Sequence, residues 1–119
     1  MSINLFLALV TTILLTLGQI LWKIGLEEIS FTTDFLKIFI SLLKSIPILF
    51  GAFLYVVSTL LWFIVLKSAQ FSKVYPILAT SYILGMFAAT IVFHEKVSMV
   101  NWVGGALIII GIVLATWQN

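Results

Sequence analysis

The sequence predicts an all-α membrane protein with four transmembrane helices, and three observations carry that prediction. Of its 119 residues, 63% are hydrophobic and only 8% charged, a balance from which no water-soluble domain can be carved. Four apolar runs are each about 20 residues long, enough at about 1.5 Å per residue to cross a hydrocarbon core of about 30 Å. The charges fall between the runs, at Lys23 with Glu27 and Glu28, Asp34 to Lys44, Lys67 with Lys73, and His94 to Lys96. Those clusters mark the loops of a single four-helix domain spanning residues 1–119.

The first span is expected over residues 3–22. Met1 to Asn4 carries no basic residue and Leu5 to Leu21 has no small-residue cleavage site, so this run reads as a retained span and not a signal peptide. Thr12, Thr16 and Gln19 share one face at i, i+4 and i+7. That face should meet protein, because lipid cannot satisfy polar side chains.

Glu27 to Asp34 is polar and reads as the longest loop. Over residues 35–44, Phe35, Ile38, Phe39 and Leu42 recur at helical spacing while Lys37, Ser41 and Lys44 take the other side. The segment is either an interfacial amphipathic helix or the water-side extension of the next span. Ser45 with Pro47 opens the second span, 46–66, since proline in the first turn removes an N–H that lacked a partner anyway. Gly51, Ala52, Ser58 and Thr59 give it a close-packing side, and Lys67 closes it. The short link Ser68 to Lys73 requires an antiparallel neighbour.

The third span, 74–93, opens on Tyr75-Pro76 with Ser72 as its expected cap. Thr80, Ser81 and Tyr82 make its first half polar. After the charged turn, Ser98 or Asn101 caps the fourth span, 100–117. Gly104, Gly111 and Ala115, spaced by seven and four, form a stripe where a second chain's helix could pack closely and make a dimer. Lys37, Lys44 and Lys96, with Lys23 at the margin, outnumber Lys67 and Lys73 on the other side. The positive-inside count therefore places the N-terminus outside, by a bias small enough to permit insertion either way.

No catalytic constellation is visible. There is one His, no Cys, and no HExxH or GxSxG motif, so neither an enzyme nor a cofactor or metal site is expected. The net charge of +2 comes from lysines with no arginine, so nucleic acid is not the expected partner. His94 and Glu95 could handle protons, but both sit in a tight turn; Glu95 is expected to pair with Lys96 or to meet the N–H groups opening the fourth helix. Lys23, at the end of a span, is either a contact for an anionic head group or a snorkelling anchor. Gln19, one helical turn before it, either binds a hydroxyl-rich solute or bonds a neighbouring helix. Tyr75 and Tyr82 either line a cleft or anchor span ends, and Trp62 reads as an anchor.

Gly18-Gln19 with Lys23, Leu61-Trp62, Tyr75-Pro76, and His94-Glu95-x-Val97-Ser98-x-x-x-Trp102-x-Gly104 with Gly111 together resemble the small four-helix members of the drug/metabolite transporter superfamily. Within it the chain is most similar to subunits of the 4-amino-4-deoxy-L-arabinose phosphoundecaprenol flippase. The likeness covers all four spans, strongest from Leu60 onward and weakest over Glu27 to Lys44. It implies a bundle like that of the small multidrug resistance family, in a bacterial inner membrane, acting as a homodimer or with a related small subunit. The implied activity is transfer of a polyprenyl-phosphate-linked sugar between leaflets, with Thr16, Gln19, Lys23, Tyr75, Ser81 and Tyr82 as candidate contacts. Two alternatives stand beside it: an exporter of lipophilic cations, and a non-transporting subunit of a glycosyltransferase system. Multidrug exporters carry a glutamate three residues before the matching glycine, where this chain has Leu15. That difference counts against the exporter.

Overall fold

A computed structural model describes residues 2–117, and among these all regular structure is helical. Helix α1 spans Ser2–Glu27, α2 Phe35–Lys44, α3 Ile46–Ser68, α4 Phe71–Val74, α5 Thr80–Ile91 and α6 Met99–Trp117, with a 3-10 turn, Tyr75–Ala79, between α4 and α5. Four stretches among the described residues are long and apolar enough to cross a membrane: Ile3–Glu27, Ile46–Ser68, Phe71–Ile91 and Met99–Trp117. The chain is a multi-pass membrane protein.

The most intimate packing in the bundle is between α1 and α3, and its cause is side-chain size. On α1 the seam carries Thr11, Gly18 and Gly25, and on α3 it carries Gly51, Ser58 and Val65, in each case a residue every seven and all of them buried. Small residues at that period let two backbones approach. Gly18 and Gly51 meet at the closest point, and Trp22 locks the crossing by donating its indole N–H to the Ile48 carbonyl at 3.1 Å while stacking on Tyr55 at 5.2 Å. The hydroxyls of Thr11, Thr12 and Thr16 each donate to the carbonyl four residues back, at 2.8 Å, so they enter the interior already satisfied.

Ala8, Val65, Val74 and Ile77 form the buried apolar cluster, where the start of α1 meets the end of α3 and the α4 region. The bundle is therefore closed at that end. Lys67 and Lys73 belong to it, whereas Lys23, Glu27, Glu28, Asp34, Lys37, Lys44, Glu95 and Lys96 lie at the other.

Ser45 has an extended backbone between α2 and α3, and its hydroxyl accepts from the Ile48 N–H at 3.4 Å. Helix α2 is thus separate from α3 and not its continuation. Asp34 caps α2 by accepting from the Leu36 N–H, and none of the helix's residues is buried. Two expected caps need comment. Ser72 is not a cap: α4 begins at Phe71, and the N–H groups of Lys73 and Val74 both donate to the carbonyl of Gln70. For the last span the choice falls on Ser98, whose hydroxyl accepts from the Asn101 N–H at 3.2 Å.

Helix α6 touches the rest of the chain along a narrow strip. Gly105 lies against Met86, whereas a Cβ on Gly104 or Gly111 would meet nothing within 4 Å. Val100, Val103, Leu107, Ile110 and Leu114 are all exposed on that open side.

Candidate functional site

Away from the apolar cluster, a cleft of about 580 Å³ lies between α1 and α5. This lies within the ~300–1,000 Å³ typical of small-molecule sites. Helix α1 presents Thr16, Gln19, Ile20 and Lys23 to it at intervals of three and four, one helical face. Helix α5 supplies Ser81, Tyr82, Gly85, Met86, Ala88 and Ala89, and the α5–α6 turn with the first turn of α6 supplies Phe93, Glu95, Lys96, Val97 and Asn101. Gly85 leaves the wall open, since a Cβ there would meet nothing within 4 Å.

The cleft is graded along its length. Thr16 is buried at its deep end with its proton already donated to Thr12, so only its lone pairs face inward. Gln19 brings an amide that can both donate and accept, and Ser81 and Tyr82 bring hydroxyls from across the gap. At the mouth stands Lys23, whose Nζ lies 3.6 Å from the Glu27 carboxylate, 4.0 Å from that of Glu95 and 5.1 Å from the centroid of the Phe93 ring. A hydroxyl-rich object would be held in the middle and an anion at the rim.

The structure thus brings together five of the six residues singled out as contacts: Thr16, Gln19, Lys23, Ser81 and Tyr82. Tyr75 is elsewhere. Its ring lies 4.7 Å from that of Phe71 and 6.5 Å from that of Trp62, in an aromatic cluster beside the closed end. The 3-10 turn that begins at Tyr75 puts it there. Glu95 lines the cleft, but its ion pair is with Lys23 and not the expected Lys96, because the turn folds back over the end of α1. His94 is not among the lining residues; it takes the left-handed backbone position, φ 55°, that ends α5. A histidine is tolerated there better than most side chains.

The cleft is formed within one chain. It involves the first and third spans and the start of the fourth, with α3 taking no part because its small face is spent on α1. Phe93, Lys96 and Asn101 line the cleft but are not among the contacts expected from the sequence. For Lys96 the signal was its place in the same charged turn; Phe93 and Asn101 gave none.

A family model for EamA-like transporters matches residues 2–117. Among curated proteins, the chain is 38% identical over 59 residues, half of its length and 52% of the relative's, to a protein of Yersinia pseudotuberculosis serotype O:1b (strain IP 31758) named "Probable 4-amino-4-deoxy-L-arabinose-phosphoundecaprenol flippase subunit ArnE". A protein of Aeromonas salmonicida (strain A449) with the same name is 38% identical over 55 residues, 46% of this chain and 48% of that one. The Yersinia pestis counterpart is 36% identical over 59 residues. The chain therefore spans about half the length of these relatives. No solved structure matches it.

Proposed function

Because the chain belongs to the EamA-like transporter family, we propose that it is a flippase that moves a polyprenyl-phosphate-linked sugar between the leaflets of a bacterial inner membrane. The names of its relatives support that substrate class, and one observation on this chain carries it. A single face of α1 sets Gln19 in the cleft, opposite Ser81 and Tyr82, and Lys23 one turn away at the mouth.

The physical problem is charge. A bare phosphate in hydrocarbon would cost of order tens of kcal/mol, so the head group needs a polar route while its isoprenoid tail stays in lipid. In this reading Lys23 offsets the phosphate at the mouth, with Lys96 on the same rim adding positive charge. Gln19, Ser81 and Tyr82 exchange hydrogen bonds with sugar hydroxyls, and Thr16 offers its oxygen as an acceptor at the deep end. The cleft's open side lets the tail trail outward past Tyr82.

Alternating access needs a second bundle, either a copy of this chain or a related small subunit, against which one half can rock. The open face of α6 with Gly104, Gly111 and Ala115 is the surface we assign to that contact. It is apolar and leaves room for a neighbouring helix. Leu15 stands where the related exporters have their glutamate, so movement follows consumption of the lipid on the far side.

Reconstitution into vesicles tests this directly, by measuring leaflet exchange of a polyprenyl-phosphate sugar. Lys23→Ala and Gln19→Ala are each expected to slow exchange at least tenfold, with Lys23→Arg retaining most of it. Exchange at the unmutated rate in both alanine variants would overturn the site.

A further inference from the structure

We infer that Glu95 is a built-in competitor for the amine of Lys23, so that an anionic head group must displace its carboxylate and, in doing so, releases the turn over residues 92–98 from α1. The inference rests on the reading that Lys23 receives the phosphate.

Two carboxylates flank Lys23, and they differ in what they connect. Glu27 is on the same helix, i to i+4, so its contact at 3.6 Å ties α1 only to itself. Glu95, at 4.0 Å, belongs to the turn between α5 and α6. Phe93, whose ring centroid lies 5.1 Å from Nζ, comes from that turn too. One amine therefore fastens one edge of the cleft to the other. The carboxylate is delivered by its backbone: His94 at φ 55° reverses the chain, and the Glu95 N–H donates to the Ala89 carbonyl at 2.8 Å.

The strength of the fastening suits exchange. The side chains of Lys23 and Glu95 are 47% and 52% exposed, and half-exposed ion pairs are weak. A phosphate offers several charged acceptor oxygens to one ammonium and makes shorter, stronger bonds than a carboxylate at the outer limit of contact. It would take the amine, and Glu95 would then be repelled by the ligand that replaced it. Glu95 thus sets the selectivity of the mouth: weakly held or neutral head groups leave the turn fastened.

The test uses the full chain in detergent micelles with two probes of equal tail, farnesyl phosphate and farnesol. The wild type should bind farnesyl phosphate in preference to farnesol, and Lys23→Gln should lose the preference. Glu95→Gln should bind farnesyl phosphate about two- to fivefold more tightly, the worth of a surface ion pair, with farnesol unchanged. Hydrogen exchange gives the second readout. Farnesyl phosphate should speed exchange over residues 92–98 in the wild type, and Glu95→Gln should show that faster exchange with no probe added, whereas Glu27→Gln should not. Equal or weaker binding by Glu95→Gln, or exchange that the probe does not alter, overturns the competition while leaving Lys23 as the phosphate contact. A wild type that does not distinguish the two probes overturns both.

Discussion

Gly18 and Gly51 face each other across the α1–α3 seam with room for hydrogen atoms alone: a Cβ on Gly51 would stand 2.7 Å from the Gly18 carbonyl oxygen, and one on Gly18 would stand 3.0 Å from that of Gly51. Both obstructions are backbone, which cannot swing aside. Gly51→Val must therefore push the two helices apart, at a cost of about 1–3 kcal/mol or more. The expected result is a clear fall in the thermal unfolding midpoint in detergent, with Gly85→Ala, which meets open space within a helix, not lowering it.

Trp22 fastens the same crossing through its side chain. Trp22→Phe preserves an aromatic ring against Tyr55 but removes the N–H that reaches Ile48. The loss of that one hydrogen bond should lower stability by about 0.5–1.5 kcal/mol, read by denaturant titration of the folded bundle.

His94 is expected to matter through its backbone. Glycine accepts a positive φ without strain, so His94→Gly should preserve both fold and leaflet exchange, while His94→Val should cost about 1–2 kcal/mol in folding. Abolished transport in a well-folded glycine variant would show that the imidazole takes part in the chemistry.

The open stripe on α6 separates folding from assembly. Gly104→Leu and Gly111→Leu add side chains where nothing in the chain stands within 4 Å, so neither should lower the bundle's helicity or melting. Cross-linking in membranes is expected to shift from dimer to monomer.

The four spans were legible because about 20 apolar residues in a row admit few other readings, and Ser45 with Pro47 marked a helix start that the structure places at the same residues. The polar face of α1 was legible too, since Thr16, Gln19 and Lys23 declare their shared side by spacing alone. Pairings across the fold were not. Glu95 has a lysine as its immediate neighbour in sequence, and only the reversal at His94 turns it instead toward α1. The small-residue stripes posed a related difficulty. Gly18 with Gly51 and Gly104 with Gly111 have the same composition, and sequence periodicity does not say which stripe is spent inside the chain and which is left outside it. Tyr75 was grouped with Tyr82 because both lie in one span, and the local change of winding at Tyr75–Ala79 was not visible in the residue pattern.

That change of winding fixes the azimuth of the cleft's far wall. A 3-10 turn advances about 120° per residue against about 100° for an α-helix, so the five residues Tyr75–Ala79 rotate everything downstream by roughly 100° relative to an unbroken helix. Ser81 and Tyr82 owe their azimuth to this overwound stretch; in an uninterrupted α-helix everything downstream would be turned back by about a quarter-circle, putting Tyr82 where Ser81 stands and Ile83 where Tyr82 stands.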